Sequence, residues 1–273
     1  MDGVNQLMTD TNMTSDFTQS VDAAFSSSAD YYHRQAELQK ECASRLANAL
    51  DPWLDIVPPG QILELGCGTG FFTQHLLRYF PNRKLIITDL SEPMLAYAQK
   101  ELPEAPNTHF SVMDAEAGPP AGETYALITG NYVAQWFSDP AKTLEPFAKQ
   151  LDPGGLMLLS FPGDESYPEW RQACLDLGLP YSGNPFPNVE KLAVQLSMGP
   201  YQIDFYEDSQ SEQFDDLYAF FRHLKKSGTA ASRKQTNLTP AQLRLLDSYW
   251  REQCGGRLTV TYHNVFFALK KNR

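Results

Sequence analysis

The sequence lacks any apolar run near the roughly 20 residues that a membrane-spanning helix requires. It also has no excess of positive charge, because 22 Lys and Arg residues stand against 33 Asp and Glu residues and leave a net charge of −11. General binding to a phosphate backbone needs a basic surface, so this balance disfavours a nucleic-acid-binding role. Residues 1–20 contain neither a basic segment nor an apolar one, and we expect no signal peptide there.

Cysteine is scarce, and its positions disfavour two common kinds of site. The four cysteines are Cys42, Cys67, Cys174 and Cys254, and they show neither CxxC spacing nor the spacing of zinc ligands. A disulfide framework and a structural metal are therefore not expected. From the composition as a whole we predict a cytoplasmic, reduced and metal-free protein.

The length of 273 residues suits one domain with a full hydrophobic core. Residues 1–20 are polar, and we predict a flexible N-terminal tail there, followed by a single domain over residues 21–273. Beyond Pro162 a stretch rich in proline and glycine interrupts the preceding pattern. We therefore predict an insertion around residues 163–250, which would cover the substrate.

Segments typical of strands and helices alternate along most of the chain. Apolar, β-rich segments predict strands at Ile62–Leu65, Lys84–Asp89, His109–Met113, Tyr125–Thr129 and Leu156–Phe161. Helices are predicted near Asp30 to Leu50, at Phe71–Phe80, from Ser91, and at Asp139–Leu151, Phe214–Lys226 and Pro240–Gln253. Two further strands are predicted around Tyr201–Tyr206 and at Leu258–Lys270, one of them antiparallel.

This alternation requires crossover connections, which give parallel strands with helices on both faces of the sheet. We therefore predict an α/β fold with a Rossmann-like, doubly wound and mostly parallel sheet of seven strands. The helical insertion would lie near the C-terminal end.

A glycine-rich turn follows the first strand, within the segment Ile62–Gly70. Glycines at 66, 68 and 70 allow a tight turn and a close approach of the backbone to a ligand. The helix that follows offers unpaired N–H groups at the edge of the sheet where ligands bind. Phe71 stands where a dinucleotide-binding fingerprint has its third glycine, which disfavours an NAD-dependent dehydrogenase. Asp89 closes the next strand and can accept hydrogen bonds from ribose hydroxyls.

The order of these features resembles that of class I methyltransferases, over about Ile62–Phe161. Glu64 and the three glycines match the first motif of that class, and Asp89 matches its second acidic position. Asp114-Ala115 follows the third strand, where the class contacts adenine, and Asn131 follows the fourth. Asp152-Pro153-Gly154-Gly155 matches the turn before the fifth strand.

The resemblance implies S-adenosylmethionine as cofactor. The residues implied to bind it are Glu64, Gly66, Gly68, Gly70, Asp89, Leu90, Met94, Asp114, Ala115 and Asn131. Three of these have structural alternatives: Asp114 could cap a turn, Asn131 could be a hydrogen-bonding residue of the loop, and Glu64 could order the glycine turn.

Two features narrow the range of possible substrates. Gly130-Asn131-Tyr132-Val133 stands where enzymes that methylate base nitrogens have Asn/Asp-Pro-Pro-Tyr, so a base-modifying role is disfavoured. Arg222, Lys225 and Lys226 form a cationic cluster about one helical turn long. Such a cluster could bind a carboxylate through a guanidinium, or could be a solvated C-terminal helix turn.

Further segments resemble the malonyl-[acyl-carrier protein] O-methyltransferase family of biotin synthesis, so that the match extends over about residues 20–270. They are Ala24-Phe25, Ala29-x-Tyr31, Ala134-Gln135-Trp136, Leu224-Lys225-x-x-Gly228 and Leu258-Thr259-x-Thr261-Tyr262-His263. Two departures are Thr229-Ala230, where we would expect Gly-Ala, and the stretch Tyr167–Pro187, which has no clear match. The resemblance implies methylation of the free carboxyl of malonyl-acyl carrier protein. A carboxylate is ionised at pH 7, so no general base is required.

The substrate-site residues that the resemblance implies are Arg222, Lys225, Tyr31, Trp136 and Tyr262. Arg222 would point inward to orient the carboxylate, and the three aromatic residues would wall the pocket and shield the sulfonium. Core packing is the alternative for each aromatic residue. Acyl carrier proteins are acidic, so an outward basic patch would be needed for encounter. We assign Lys226, Arg233 and Lys234 to that patch.

Two other functions stay open. A methyltransferase of another small carboxylate, such as an aconitate-like acid, would share the pocket but would not need the outer basic patch. A non-catalytic protein that binds adenosylmethionine or the carrier is the second, and the intact glycine turn with Asp89 argues against it.

Overall fold

The computed structural model describes Gln19, residues 29–226 and residues 238–273, without the side chain of Asp30. The predicted tail over residues 1–20 lies outside this part, apart from Gln19. Also outside the described residues are Ala24, Phe25, Gly228, Arg233 and Lys234.

Seven strands form one sheet in the order β3-β2-β1-β4-β5-β7-β6. The strands are β1 Ile62–Glu64, β2 Leu85–Asp89, β3 Thr108–Val112, β4 Tyr125–Asn131, β5 Leu151–Pro162, β6 Tyr201–Phe214 and β7 Leu258–Lys271. Strands β1 to β5 are parallel, and β7 runs antiparallel to both of its neighbours, β5 and β6. The predicted fold class is confirmed.

Nine α-helices accompany the sheet in the described ranges. They are α1 Ala29–Gln35, α2 Glu37–Leu50, α3 Thr73–Tyr79, α4 Glu92–Glu101, α5 Pro140–Lys149, α6 Pro168–Asp176, α7 Val189–Leu196, α8 Leu217–Lys226 and α9 Pro240–Gln253. None of these helices is long and apolar enough to cross a bilayer.

Helices cover both faces of the sheet because its central strands are apolar on both sides. β1 and most of β4 are buried on both sides, with the continuous apolar sequence typical of interior parallel strands. Leu46 of α2 and Leu76 of α3 belong to the core on one face. Leu144 of α5 and Leu192 of α7 belong to the core on the other.

The structure corrects the sequence-based bounds at the first helix. The helix predicted from Asp30 to Leu50 is interrupted at Ala36, whose ψ of 54° is not helical. As a result α1 is a separate short helix, which lies against α4. The expected cap of α4 is present, because the Ser91 hydroxyl accepts a hydrogen bond from the Met94 N–H at 3.4 Å.

The segment that we predicted as an insertion contains β6, the strand expected around Tyr201–Tyr206. Helices α6 and α7 precede that strand, and α8 and α9 follow it. α6, α8 and α9 meet through Trp170, Phe220 and Trp250, whose ring centroids are 5.7 to 6.4 Å apart. α7 instead packs on α5 at the opposite face. The helices after β5 therefore belong to two separate layers.

Candidate active site

A cleft with about 890 Å³ of empty space opens at the carboxyl ends of β1, β2 and β4. β1 lies between β2 and β4, and the order of the strands reverses its direction at this point. A crevice therefore opens above the carboxyl end of β1. The cleft is lined by Tyr32, Gly66, Cys67, Gly68, Phe71, Asp89, Leu90, Ser91, Met94, Met113, Asp114, Ala115, Glu116, Asn131, Tyr132, Val133, Trp136 and Phe137.

The glycine turn forms the floor of this cleft. Gly66 and Gly68 have φ values of +62° and +54°, which L side chains rarely adopt. A Cβ atom at Gly66 would also lie 2.7 Å from a methyl of Val133. Gly70 does not line the cleft, and a Cβ there would lie 2.9 Å from Leu102. Two of the predicted glycines therefore face the cleft, whereas Gly70 serves the packing of the turn.

Asp89 faces the cleft from the end of β2. Its Oδ2 accepts a hydrogen bond from the Gly68 N–H at 2.7 Å, and its Oδ1 accepts one from the Ser91 N–H at 2.8 Å. These two contacts fix the carboxylate beside the glycine turn. Because a carboxylate oxygen can accept more than one hydrogen bond, this arrangement fits the two hydroxyls of a ribose.

Glu64 is buried beneath the turn and does not line the cleft. Its Oε2 accepts a hydrogen bond from the Thr73 hydroxyl at 2.7 Å, while Oε1 has no hydrogen-bond partner in the described part of the chain. Burial raises the pKa of Glu64 to about 8; the hydrogen bond from Thr73 opposes this rise and the charge of Asp89 adds to it. A buried carboxyl group with one unpaired oxygen fits a cationic amine as partner.

Four other predicted cofactor residues line the cleft: Leu90, Met94, Asp114 and Ala115. Met94 is buried and apolar, as the wall of a site for a flat ring would be. The Asp114 carboxylate accepts a hydrogen bond from the Glu116 N–H at 2.9 Å, so it also caps the turn that follows β3.

Asn131 lines the cleft as well, but its amide is used within the fold. Its Nδ2 donates to the Gln39 carbonyl at 3.0 Å, and its Oδ1 accepts from the Ser160 hydroxyl at 2.7 Å. The side chain thus ties α2 to β5, which favours the alternative of a structural hydrogen-bonding residue.

The predicted substrate-site residues do not all lie together. Trp136 lines the cleft. Tyr31 does not line it, and Lys226 Nζ is 5.2 Å from the centroid of the Tyr31 ring. Tyr262 is buried outside the lining, with its ring centroid 5.2 Å from that of Tyr167.

Arg222 requires a correction, because we expected its side chain to point inward. It is exposed on α8, and so are Lys225 and Lys226. The helix buries Leu217 and Phe220 instead, which turns position 222 toward solvent. We refer to these three cations as the α8 basic face.

Sequence reasoning missed Tyr32 and Tyr132, which both line the cleft. Tyr32 belongs to α1 and stacks on Phe71 with ring centroids 5.9 Å apart, so that α1 covers the glycine turn. His33 supports the same contact, 5.0 Å from the Phe71 ring. Tyr31 and Tyr32 are adjacent in the sequence. Which of them faces the cleft depends on the orientation of α1, and the sequence does not determine that orientation.

Burial keeps two phenols and the thiol at the cleft in their neutral forms. It raises the pKa of Tyr32, of Tyr132 and of the Cys67 thiol well above their ordinary values. Cys67 is therefore not a thiolate nucleophile. The cleft offers neutral donors and the three carboxylates of Asp89, Asp114 and Glu116, and this chemistry fits a nucleoside carrying a cationic amino acid.

The sheet order, the glycine turn and the acid at the end of β2 define a class I methyltransferase, whose cofactor is S-adenosylmethionine. Residues 62–155 match the methyltransferase domain family. The YcgJ protein of Bacillus subtilis has a similar structure, with a TM-score of 0.60 and 16% identity over 84% of this chain and 99% of that chain. At that identity the likeness shows the fold alone.

Curated relatives make the assignment more specific. The chain is 32% identical to the malonyl-[acyl-carrier protein] O-methyltransferase of Magnetococcus marinus, over 86% of both chains. It is 31% identical to malonyl-[acyl-carrier protein] O-methyltransferase 1 of Ilyobacter polytropus, over 92% of this chain and 94% of the relative. The chain belongs to the malonyl-[acyl-carrier protein] O-methyltransferase family.

Proposed function

We propose that this chain methylates the free carboxyl group of a malonyl thioester on acyl carrier protein, an early step of biotin synthesis, in the cytoplasm. The observation that carries the proposal is the extent of the similarity to relatives with that activity in their name. A match over 92% of the chain reaches well beyond residues 62–155, where the general methyltransferase domain lies. It therefore includes most of the helices after β5, to which we assign substrate specificity.

The cofactor residues have separate roles in this proposal. Glu64, which lies beneath the turn, stabilises the amine of the methionine end through its charge, and Asp89 accepts hydrogen bonds from the ribose hydroxyls. Asp114 and Ala115 contact the adenine, Leu90 and Met94 wall it, and Asn131 borders the methionine end. Gly66 and Gly68 present their backbone to the ligand, while Gly70 shapes the turn.

Bound S-adenosylmethionine supplies a methyl group that its sulfonium already makes electrophilic. The chain's own residues then have to exclude water and align the acceptor with that methyl. Trp136 is placed to shield the positive charge by a cation–π contact. Because the acceptor carboxylate is an anion at neutral pH, no side chain needs to remove a proton.

The α8 basic face is the proposed docking surface for the carrier. The chain carries a net charge of −11, so an acidic carrier is repelled at long range unless it meets a local positive surface. Lys226 contacts Tyr31 of α1, the helix that covers the cleft, so docking on α8 would deliver the acyl group beside the entrance. Arg222, Lys225 and Lys226 are therefore assigned outward, and α1 with α8 forms the cover of the site.

Intact-mass analysis of malonyl carrier protein incubated with the chain and S-adenosylmethionine tests the proposal. We expect a gain of one methylene on the malonyl form and none on the acetyl form, which lacks the free carboxyl. The absence of a gain on the malonyl form would contradict the proposed function.

A further inference from the structure

A buried serine on β5 holds the residues at which β4 ends. The side chain of Ser160 is fully buried, and its hydroxyl donates a hydrogen bond to Asn131 Oδ1 at 2.7 Å. The same hydroxyl accepts a hydrogen bond from the Tyr132 N–H at 3.2 Å, and the Ser160 carbonyl accepts one from that N–H at 2.8 Å. Asn131 and Tyr132 both line the cleft. One residue behind the cleft thus fixes two consecutive residues of its wall.

The backbone is strained at the same point. Tyr132 has a φ of +57°, which is unfavourable for a bulky side chain and persists only where the surroundings enforce it, commonly at functional sites. Its hydrogen bonds to Ser160, and a further one from its hydroxyl to Asn264 Oδ1 at 2.6 Å, hold it in this conformation. The next residue, Val133, packs so closely on Gly66 that a Cβ atom there would lie 2.7 Å from its methyl. The turn held by Ser160 therefore contacts the floor of the cleft.

The chemistry of its two partners determines the orientation of the Asn131 amide. Its Nδ2 donates a hydrogen bond to the Gln39 carbonyl at 3.0 Å. A carbonyl only accepts hydrogen bonds, so the nitrogen of the amide has to face Gln39 and the oxygen has to face the Ser160 hydroxyl. Nδ2 carries two hydrogens, and Gln39 accepts only one of them. Within the described residues the second N–H has no hydrogen-bond partner, and the residue that carries it lines the cleft.

The amino-acid end of the cofactor offers one group that suits this N–H. Its ammonium group only donates hydrogen bonds and suits the buried carboxyl of Glu64, whereas its carboxylate only accepts them and suits a neutral donor. The structural use of Asn131 is compatible with such a contact, because it leaves one N–H available.

We propose that this N–H of Asn131 donates a hydrogen bond to the carboxylate of the bound cofactor, and that Ser160 is the positioning residue that holds the amide in the required orientation. The inference goes beyond the proposed function. It concerns the cofactor half of the site and rests on the methyltransferase class, not on the identity of the acceptor.

Calorimetric binding of two ligands to the full chain tests the proposal. The ligands are S-adenosylhomocysteine and its decarboxylated analogue, which keeps the amine and lacks only the carboxylate. Asn131→Ala should raise the Kd for S-adenosylhomocysteine about tenfold, the usual weight of one hydrogen bond to a charged group. Ser160→Ala should raise it by a smaller factor, because the amide is still present but no longer held. The Kd for the decarboxylated analogue should stay unchanged in both variants. An equal loss of affinity for both ligands would overturn the proposal.

Ser166→Ala is the matched control. Ser166 is also fully buried, and its hydroxyl also forms two hydrogen bonds, both with the backbone of His263, but it does not line the cleft or contact Asn131. This variant should leave the Kd for both ligands unchanged.

Non-additivity tests whether Ser160 acts through Asn131. The double variant Ser160→Ala with Asn131→Ala should bind S-adenosylhomocysteine no more weakly than Asn131→Ala alone. Losses of affinity that multiply would overturn the positioning role. Should Asn131→Ala fail to fold, Ser160→Ala decides alone, and a ratio of the two Kd values equal to that of the wild-type protein would overturn the proposal.

The binding test is independent of the acceptor. If the wild-type chain does not methylate malonyl carrier protein, the proposed function fails, while the Kd values still decide the roles of Asn131 and Ser160. The wild-type protein should bind S-adenosylhomocysteine more tightly than the decarboxylated analogue. Equal Kd values for the two ligands in the wild-type protein would overturn the inference and leave the proposed function untouched.

Discussion

The buried carboxyl group of Glu64 makes cofactor binding dependent on pH. With its pKa raised to about 8 in the ligand-free protein, Glu64 is ionised in about one molecule in a hundred at pH 6 and about one in ten at pH 7. Only the ionised form can pair with the cofactor's amine. The affinity for S-adenosylhomocysteine should therefore rise about tenfold from pH 6 to pH 7 and level off above pH 8.

Isothermal titration at pH 6, 7 and 8 with wild-type protein and Glu64→Gln measures this dependence. The variant should bind more weakly at pH 8 and show no slope, because its amide does not titrate. 5′-Methylthioadenosine, which lacks the amine, is the matched control ligand and should show no slope with the wild-type protein. A wild-type Kd that is equal at pH 6 and pH 7, or a slope that survives in Glu64→Gln, would refute the reasoning.

The same raised pKa has a consequence for stability in the absence of ligand. The folded state holds the Glu64 proton more tightly than the unfolded state, whose carboxyl has an ordinary pKa of 4.5. Glu64 therefore makes the free energy of unfolding fall as the pH rises from about 4.5 toward 8, and Glu64→Gln should remove that contribution.

Two further predictions concern the turn and the docking surface. Gly66→Ala should lower the free energy of unfolding by about 1–3 kcal/mol through backbone strain, and by more through the contact with Val133, as measured by urea unfolding. Gly122→Ala is the control, because Gly122 has a φ of +82° and a Cβ there would have no atom within 4 Å; it should lower the free energy of unfolding by less. Reversing the α8 basic face to Glu should raise KM for malonyl carrier protein at low salt and spare a free malonyl thioester, whereas equal effects on both would contradict docking there. The matched control reverses three exposed cations on other helices, Lys100, Lys149 and Lys191.

The sequence predicts the parts of the fold in which pattern and burial coincide. The bounds of α9 follow from its capping residue Thr239 and its regular apolar spacing, and the structure confirms them. α7 was missed, because it is short and follows a stretch rich in proline and glycine. β6 extends to Phe214 along the edge of the sheet, where half of its residues are exposed and nearly all of these are polar, so the apolar signal ends early.

The candidate site was predictable in its cofactor half and less so elsewhere. The glycine turn and Asp89 are contiguous motifs, and the structure brings them to one cleft. Tyr132 of the cleft is held by a hydrogen bond to Asn264 of β7, and the proximity of these two distant residues depends on the sheet order. The outward orientation of Arg222 was predictable from the sequence. Leu217, Phe220 and Leu224 define the apolar side of α8, and position 222 lies on the opposite side of the helix.

The central claim is that the acceptor is a malonyl group on a carrier and not a free small acid. Initial rates of methyl transfer from labelled S-adenosylmethionine should be measured side by side for malonyl carrier protein, a free malonyl thioester and aconitate. We expect the highest kcat/KM for malonyl carrier protein, with the free thioester lower mainly through KM. A kcat/KM for aconitate that equals or exceeds that for malonyl carrier protein would contradict it.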